Sequence, residues 1–257
     1  MAPRMNTNTE SRSLPPPEPP GFQRVLVWDA PLRAFHWLMA ACFAGACLTA
    51  GQEGWHNVHQ TLGYTMGGLA FFRIAWGFAG SRYARFASFV RGPAAITACL
   101  RAMPRGWGKR HIGHSPVGAV SIIALLLLAL ASAVSGWASG GNPAAHAWWK
   151  ALHEGVALAM LVLVGLHIAS VIFGSWRAGE NLARSMISGT KLGAPDEAIS
   201  SARYRAALLI AAAVVGFWTY QWTGASTTAA SREQLREEAR ERPASITEAR
   251  RAPGDND

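Results

Sequence analysis

The chain has 257 residues, half of them apolar and only 15% charged, well below the quarter usual for soluble domains. The apolar residues fall in blocks, and the 11 tryptophans suit a bilayer interface, so a large soluble core is excluded. A formal charge of +9 raises nucleic acid as a partner, but the basic residues concentrate in loops between apolar blocks, which marks membrane orientation instead. No nucleic-acid partner is expected.

Residues 1–23 are polar and carry the run Pro15-Pro16-Pro17-Glu18-Pro19-Pro20. No basic start runs directly into an apolar stretch, so this segment reads as a disordered cytoplasmic leader and not as a cleaved signal. Apolar spans follow at about 32–50, 58–79, 117–137 and 151–173, each near the twenty residues a bilayer crossing needs. A linker and a shorter fifth span occupy 192–223. The remainder, 224–257, holds six basic and seven acidic residues and reads as a charged, disordered tail.

The loops set the orientation. Between the second and third spans, Gly80 to Pro116 contains seven basic residues and no acidic ones. The connection Gly51 to Asn57 contains no basic residue, and that between the third and fourth spans has only Lys150. The positive-inside rule therefore predicts a multi-pass membrane protein with its N-terminus and the long basic loop in the cytoplasm.

Histidines carry the chemistry. His153 and His167 lie fourteen residues apart in the fourth span, which is about 21 Å along a helix and within roughly 40° of the same face. With the predicted topology His59 and His153 share the outer level, and His36 and His167 the inner one. An ionisable group within a span costs several kcal/mol to bury and marks a functional position. Two imidazole pairs at two depths fit two non-covalent haems b, each iron held by two axial histidines. No Cys-x-x-Cys-His occurs, so covalent attachment is not expected.

Gly63 and Gly67 lie four and eight residues beyond His59 on its face, which would let a porphyrin lie against bare backbone. The same glycines are equally suited to close helix packing. Arg73, fourteen residues beyond His59, would pair with a propionate of the inner haem or with an anionic quinone, or snorkel as an interfacial arginine. His56 competes with His59 as a ligand, being one turn earlier. His111, His114 and His146 are assigned to loops. Cys42, Cys47 and Cys99 form no disulfide framework.

Several segments resemble the bacterial cytochrome b561 and nickel-iron hydrogenase cytochrome b subunit family. They are Val27-Trp28-Asp29-Ala30-Pro31-Leu32-Arg33-Ala34-Phe35-His36-Trp37, His59-Gln60-Thr61-Leu62-Gly63-Tyr64 and Phe72-Arg73-Ile74-Ala75-Trp76-Gly77-Phe78. Gly113-His114-Ser115-Pro116-Val117-Gly118-Ala119, Leu152-His153-Glu154 and Glu180-Asn181-Leu182-Ala183-Arg184-Ser185-Met186-Ile187-Ser188-Gly189 follow in the same order. The resemblance covers about 24–191. It implies an all-α, integral membrane four-helix bundle binding haem, here with a fifth transmembrane helix added. Its ligand positions fall on His36, His59, His153 and His167. It further implies electron transfer between the quinone pool and a redox partner protein (a dehydrogenase, a hydrogenase-like complex or cytochrome c) in a respiratory chain, with the chain acting as a quinone-linked oxidoreductase subunit. Two other functions compete: a membrane anchor for a soluble redox enzyme, and a histidine-based metal or proton transporter. The second would want carboxylates beside the histidines, and only Glu154 offers one, at the end of a span.

Overall fold

The computed structural model describes residues 21, 23–89, 113, 116–140 and 145–249. The expectations for 1–20, for His111 and His114, for Cys99 and for most of the basic loop lie outside these residues. Long helices dominate: α1 (Ala30–Thr49), α2 (His56–Ala79), the short α3 (Phe86–Phe89), α4 (Pro116–Ser139), α5 (His146–Ala178), the short α6 (Leu182–Ser188) and α7 (Tyr204–Ala249). Two short strands, β1 (Gln23–Leu26) and β2 (Thr190–Gly193), and a 3-10 turn at Pro195–Glu197 complete the chain.

Four helices are long and apolar enough to cross a membrane: α1, α4 over 118–139, α5, and α7 over Tyr204–Gly224. Their apolar stretches bury little inside the protein, 6% of the window in α5, so their side chains are left to face lipid. Leu158, Leu161, Leu166, Ile172 and Trp176 of α5 are all exposed in this way. The second predicted span corresponds to α2, which has the length to cross but is not among those four. It carries His56, Asn57, His59, Gln60 and Arg73, and it buries Thr61, Thr65, Met66, Leu69, Ala70, Arg73 and Gly77. α2 is the inner helix of the bundle: Thr61, Thr65 and Arg73 face protein, while His56, Asn57 and Gln60 lie exposed at its start.

Helices α1 and α2 form one hairpin, α4 and α5 another, and the hairpins join where α2 packs on α4. Cys42, Met66, Ala70, Leu126, Ala129 and Met160 make the central core. Gly67 sits in the contact between α2 and α4: a Cβ there would lie 3.0 Å from the Ala133 methyl. Helix α5 lies along α4 and has little close backbone packing with α1 or α2. α7 returns along α1, and Trp218 Nε1 donates to Thr65 Oγ1 of α2 at 2.9 Å. It continues as helix to Ala249, so the segment expected to be a disordered tail extends α7 through that residue.

One end of the bundle is closed by a cap that the apolar pattern did not announce. β1 pairs antiparallel with β2, Gln23 opposite Gly193 and Leu26 opposite Thr190. Asp29 is the hub. Its Oδ1 accepts from Leu32 N and caps α1, while Oδ2 accepts from Trp76 Nε1 at 3.0 Å and Ser81 N at 3.2 Å, locking the start of α1 to the end of α2. Gly189 ends α6 in the left-handed region (φ 81°), and its carbonyl accepts from Val27 N and Trp28 N. Trp37 Nε1 donates to Met186 O, Arg33 Nη1 to Ile187 O, and Tyr83 Oη to Glu197 O. Burial of Tyr83 pushes its phenol pKa up.

Candidate functional site

Four histidines face inward on three helices. On α5 the half-buried or buried positions His153, Ala157, Met160, Val164 and His167 recur at intervals of three and four residues and form one stripe, with half-buried Val156 and Leu163 along its side. His153 and His167 mark the two ends of that stripe. His59 stands in the first turns of α2, and His36 in the second turn of α1.

The end of the bundle away from the cap brings His59 and His153 together. Their ring centroids are 6.1 Å apart and the planes nearly perpendicular, at 83°. Nδ1 of His59 is 3.0 Å from Ala46 O, and Nδ1 of His153 is 3.0 Å from Ser132 O. A carbonyl only accepts, so each Nδ1 carries the proton and each Nε2 keeps its lone pair, the tautomer a metal ligand needs. Two imidazoles on one metal, with bonds of about 2 Å and ring centres roughly 1 Å behind each bonding nitrogen, have centroids on the order of 6 Å apart. The pair therefore fits an iron held between two axial histidines.

The His153 ring rests on bare backbone. A Cβ on Gly136 would lie 3.1 Å from His153 Cε1 and 3.2 Å from Nδ1. Gly63, one turn beyond His59, faces open space: a methyl at this position would meet nothing within 4 Å, which leaves room beside the imidazole. Gly67 instead serves the contact with Ala133.

At the cap end, His36 and His167 lie within electrostatic reach of each other. His36 is packed edge-on against Trp37, with centroids 5.1 Å apart. Its buried Nδ1 has no hydrogen-bond partner among the described residues. Arg73 is 1% exposed, and neither Nη1 nor Nη2 has a partner among the described residues. Its guanidinium lies over the Phe86 ring at 5.1 Å and near the Phe89 ring at 6.0 Å, with Asp29 the acid within electrostatic reach. Phe86 reaches this position only because residue 77 is glycine: a Cβ there would overlap the ring. A snorkelling arginine would send its head to water; this one keeps it inside.

The other candidates stand apart. His56 opens α2 and is exposed. His146 is exposed and bonded to Ser139 O. Glu154 is exposed and pairs with Lys150 at 4.0 Å on the surface of α5. Among the described residues no three His, Cys, Asp or Glu side chains converge as a metal cluster would require. Sequence reasoning did not reach Thr49, Ser135, Gly136 or Phe86, because their importance depends on which helices meet. Asp29 was within reach: an aspartate two residues before a proline is a helix-start signal.

Comparison with curated proteins and with solved structures returns no match. A family model does match, that of prokaryotic cytochrome b561, over residues 27–189, which includes all four inward histidines, Arg73 and the Asp29 hub. The matched stretch is more than half the chain and contains the helices that position the histidine pairs. On that match the chain belongs to the prokaryotic cytochrome b561 family, membrane electron-transfer proteins that carry b-type haem.

Proposed function

We propose that the chain carries electrons across the bacterial inner membrane through two haems b, one held by His59 and His153 and the other by His36 and His167. The observation that carries this reading is the opposition of His59 and His153 at 6.1 Å, both Nδ1 atoms turned to backbone carbonyls. Bound haem supplies a one-electron iron couple whose potential the axial ligands and their surroundings set. Each haem would be held by two histidines of the chain, an arrangement that would suit electron transfer over oxygen binding. The chain's own contribution is to fix both pairs at depths about 21 Å apart along α5. Gly63 leaves space beside His59, and Gly67 draws α2 against α4.

The cap end is assigned to the cytoplasm, since the basic segment after α2 belongs to that side by the positive-inside rule. Arg73, buried with two unused donors, suits an anion at the inner level: a propionate of the inner haem or the anionic form of a quinone. The supported activity is transfer between the quinone pool and a redox partner protein of the respiratory chain (a dehydrogenase, a hydrogenase-like complex or cytochrome c). The transporter reading is disfavoured, because the imidazoles stand in pairs and the one nearby carboxylate, Glu154, is on the surface.

The test is a haem count on the purified protein combined with ligand variants. Two haems per chain are expected, with His59→Ala and His153→Ala each removing the same one and His36→Ala and His167→Ala the other. A ratio of one in folded protein rejects the pair, and retention of the outer haem in His59→Ala with its loss in His56→Ala replaces the ligand.

A further inference from the structure

The two histidine levels differ in a way that the ligand count does not capture. At the outer level each Nδ1 meets two oxygens of one neighbouring helix, arranged alike. His59 Nδ1 is 3.0 Å from Ala46 O and 3.5 Å from Thr49 Oγ1. His153 Nδ1 is 3.0 Å from Ser132 O and 3.3 Å from Ser135 Oγ. In both cases the hydroxyl lies three residues after the carbonyl, on α1 and on α4 respectively.

Both hydroxyl protons are already committed. Thr49 Oγ1 donates to Gly45 O at 2.8 Å, and Ser135 Oγ donates to Ala131 O at 2.7 Å. A hydroxyl that donates on one side becomes a better acceptor on the other. Each therefore turns a lone pair to the Nδ1–H and shares it with the carbonyl. Both side chains are buried, so water does not compete for the role. His36 has no such arrangement: its Nδ1 is buried and unpartnered among the described residues. Arg73 also places a buried guanidinium towards this end, its Nη1 and Nη2 without a hydrogen-bond partner among the described residues and Asp29 the acid within electrostatic reach.

A hydrogen bond from Nδ1–H increases electron donation by the imidazole, which favours the oxidised metal. A buried cation near the other level favours the reduced one, because it offsets the added electron. We infer that Thr49 and Ser135 are positioning residues that strengthen His59 and His153 as ligands, making the outer haem site the lower-potential of the two. This rests on the two-haem reading above. With haem bound at both levels, His59 and His153 would hold the group of lower potential and His36 and His167 the one of higher potential, a difference that would favour electron transfer from the outer level to the inner.

The experiment is an optical redox titration of the purified, haem-loaded full chain, with haem counted in each sample. The parent should show two one-electron waves. Thr49→Val and Ser135→Ala should each move the lower wave upward, the double variant further, and the higher wave should stay in place. Thr49→Ser, which keeps the hydroxyl, should restore the parent value and separates loss of the hydrogen bond from loss of packing. The proposal is overturned if the higher wave moves, if neither moves, or if Thr49→Ser behaves like Thr49→Val. One haem and one wave in the folded parent reject the two-haem reading itself, and this proposal with it.

Discussion

His59 and His153, on helices from different hairpins, face each other with ring centroids 6.1 Å apart and planes at 83°. Neither could hold that position alone. His59 is oriented by a carbonyl of α1 and His153 by one of α4, so each ligand is set by the partner helix of its own hairpin. The distance between them then depends on how closely the hairpins approach, at Gly67 and Ala133.

The seat of His153 gives the sharpest test. Gly136→Ala should drive a methyl to within 3.1 Å of the imidazole and displace it, removing one haem from the purified protein. Gly155→Ala, on the histidine's own helix where a methyl meets nothing within 4 Å, should leave the absorption spectrum unchanged. Equal spectra for the two variants would show that the ring has freedom to shift.

Replacing Arg73 by Leu should slow quinone-linked haem reduction or oxidation by about 10- to 100-fold, the equivalent of one charge-assisted hydrogen bond, with both haems retained. Stopped-flow absorbance with a soluble quinol reads this directly. Full activity in the variant, or loss of the inner haem, would make Arg73 structural.

Asp29→Ala removes an N-cap and strands two donors, Trp76 Nε1 and Ser81 N. A cap is worth about 1 kcal/mol and each stranded buried donor about 1–3, so a loss on the order of 3–7 kcal/mol is expected in thermal unfolding in detergent. Asp29→Asn keeps an acceptor and should lose less.

Trp218→Phe should cost about 1 kcal/mol, because Thr65 Oγ1 keeps its bond to Thr61 O when the indole donor is lost. The haem content should not change. A change would mean that α7 shapes the histidine sites as well as flanking them.

Orientation is tested with single cysteines in a background lacking Cys42, Cys47 and Cys99. Cysteine at Gln52 should react with an impermeant reagent on intact cells, and cysteine at Arg82 should not. The reverse pattern inverts the protein.

Much of this was legible in the chain. The fourteen-residue interval between His153 and His167 set a common face and two depths, because helix periodicity is a property of the sequence alone. The structure brings His59 to His153 and His36 within reach of His167. The oxygens that orient the rings were not legible. Ala46 and Ser132 contribute backbone, which no side-chain pattern reports, and Thr49 and Ser135 look like ordinary helix hydroxyls until the neighbouring imidazole is in place. The cap was hidden for another reason: strands of four residues are too short to show a period. Their partners are also distant in the sequence. Gly67 reads identically whether it faces a porphyrin or a second helix, and only packing separates the two.

The pairing of Gln23 with Gly193 also orders events during synthesis. β1 is made before α1, and its partner emerges only after α1, α2, α4 and α5 have been translated. The strand pair therefore cannot form before these four helices have been made. Until then β1 lacks its ladder partner, while Asp29 can already hold the start of α1 to the end of α2 through Trp76 and Ser81. A chain arrested before Thr190 would hold α1 against α2 by the Asp29 contacts alone, without the strand pair that ties β1 to the segment after α6.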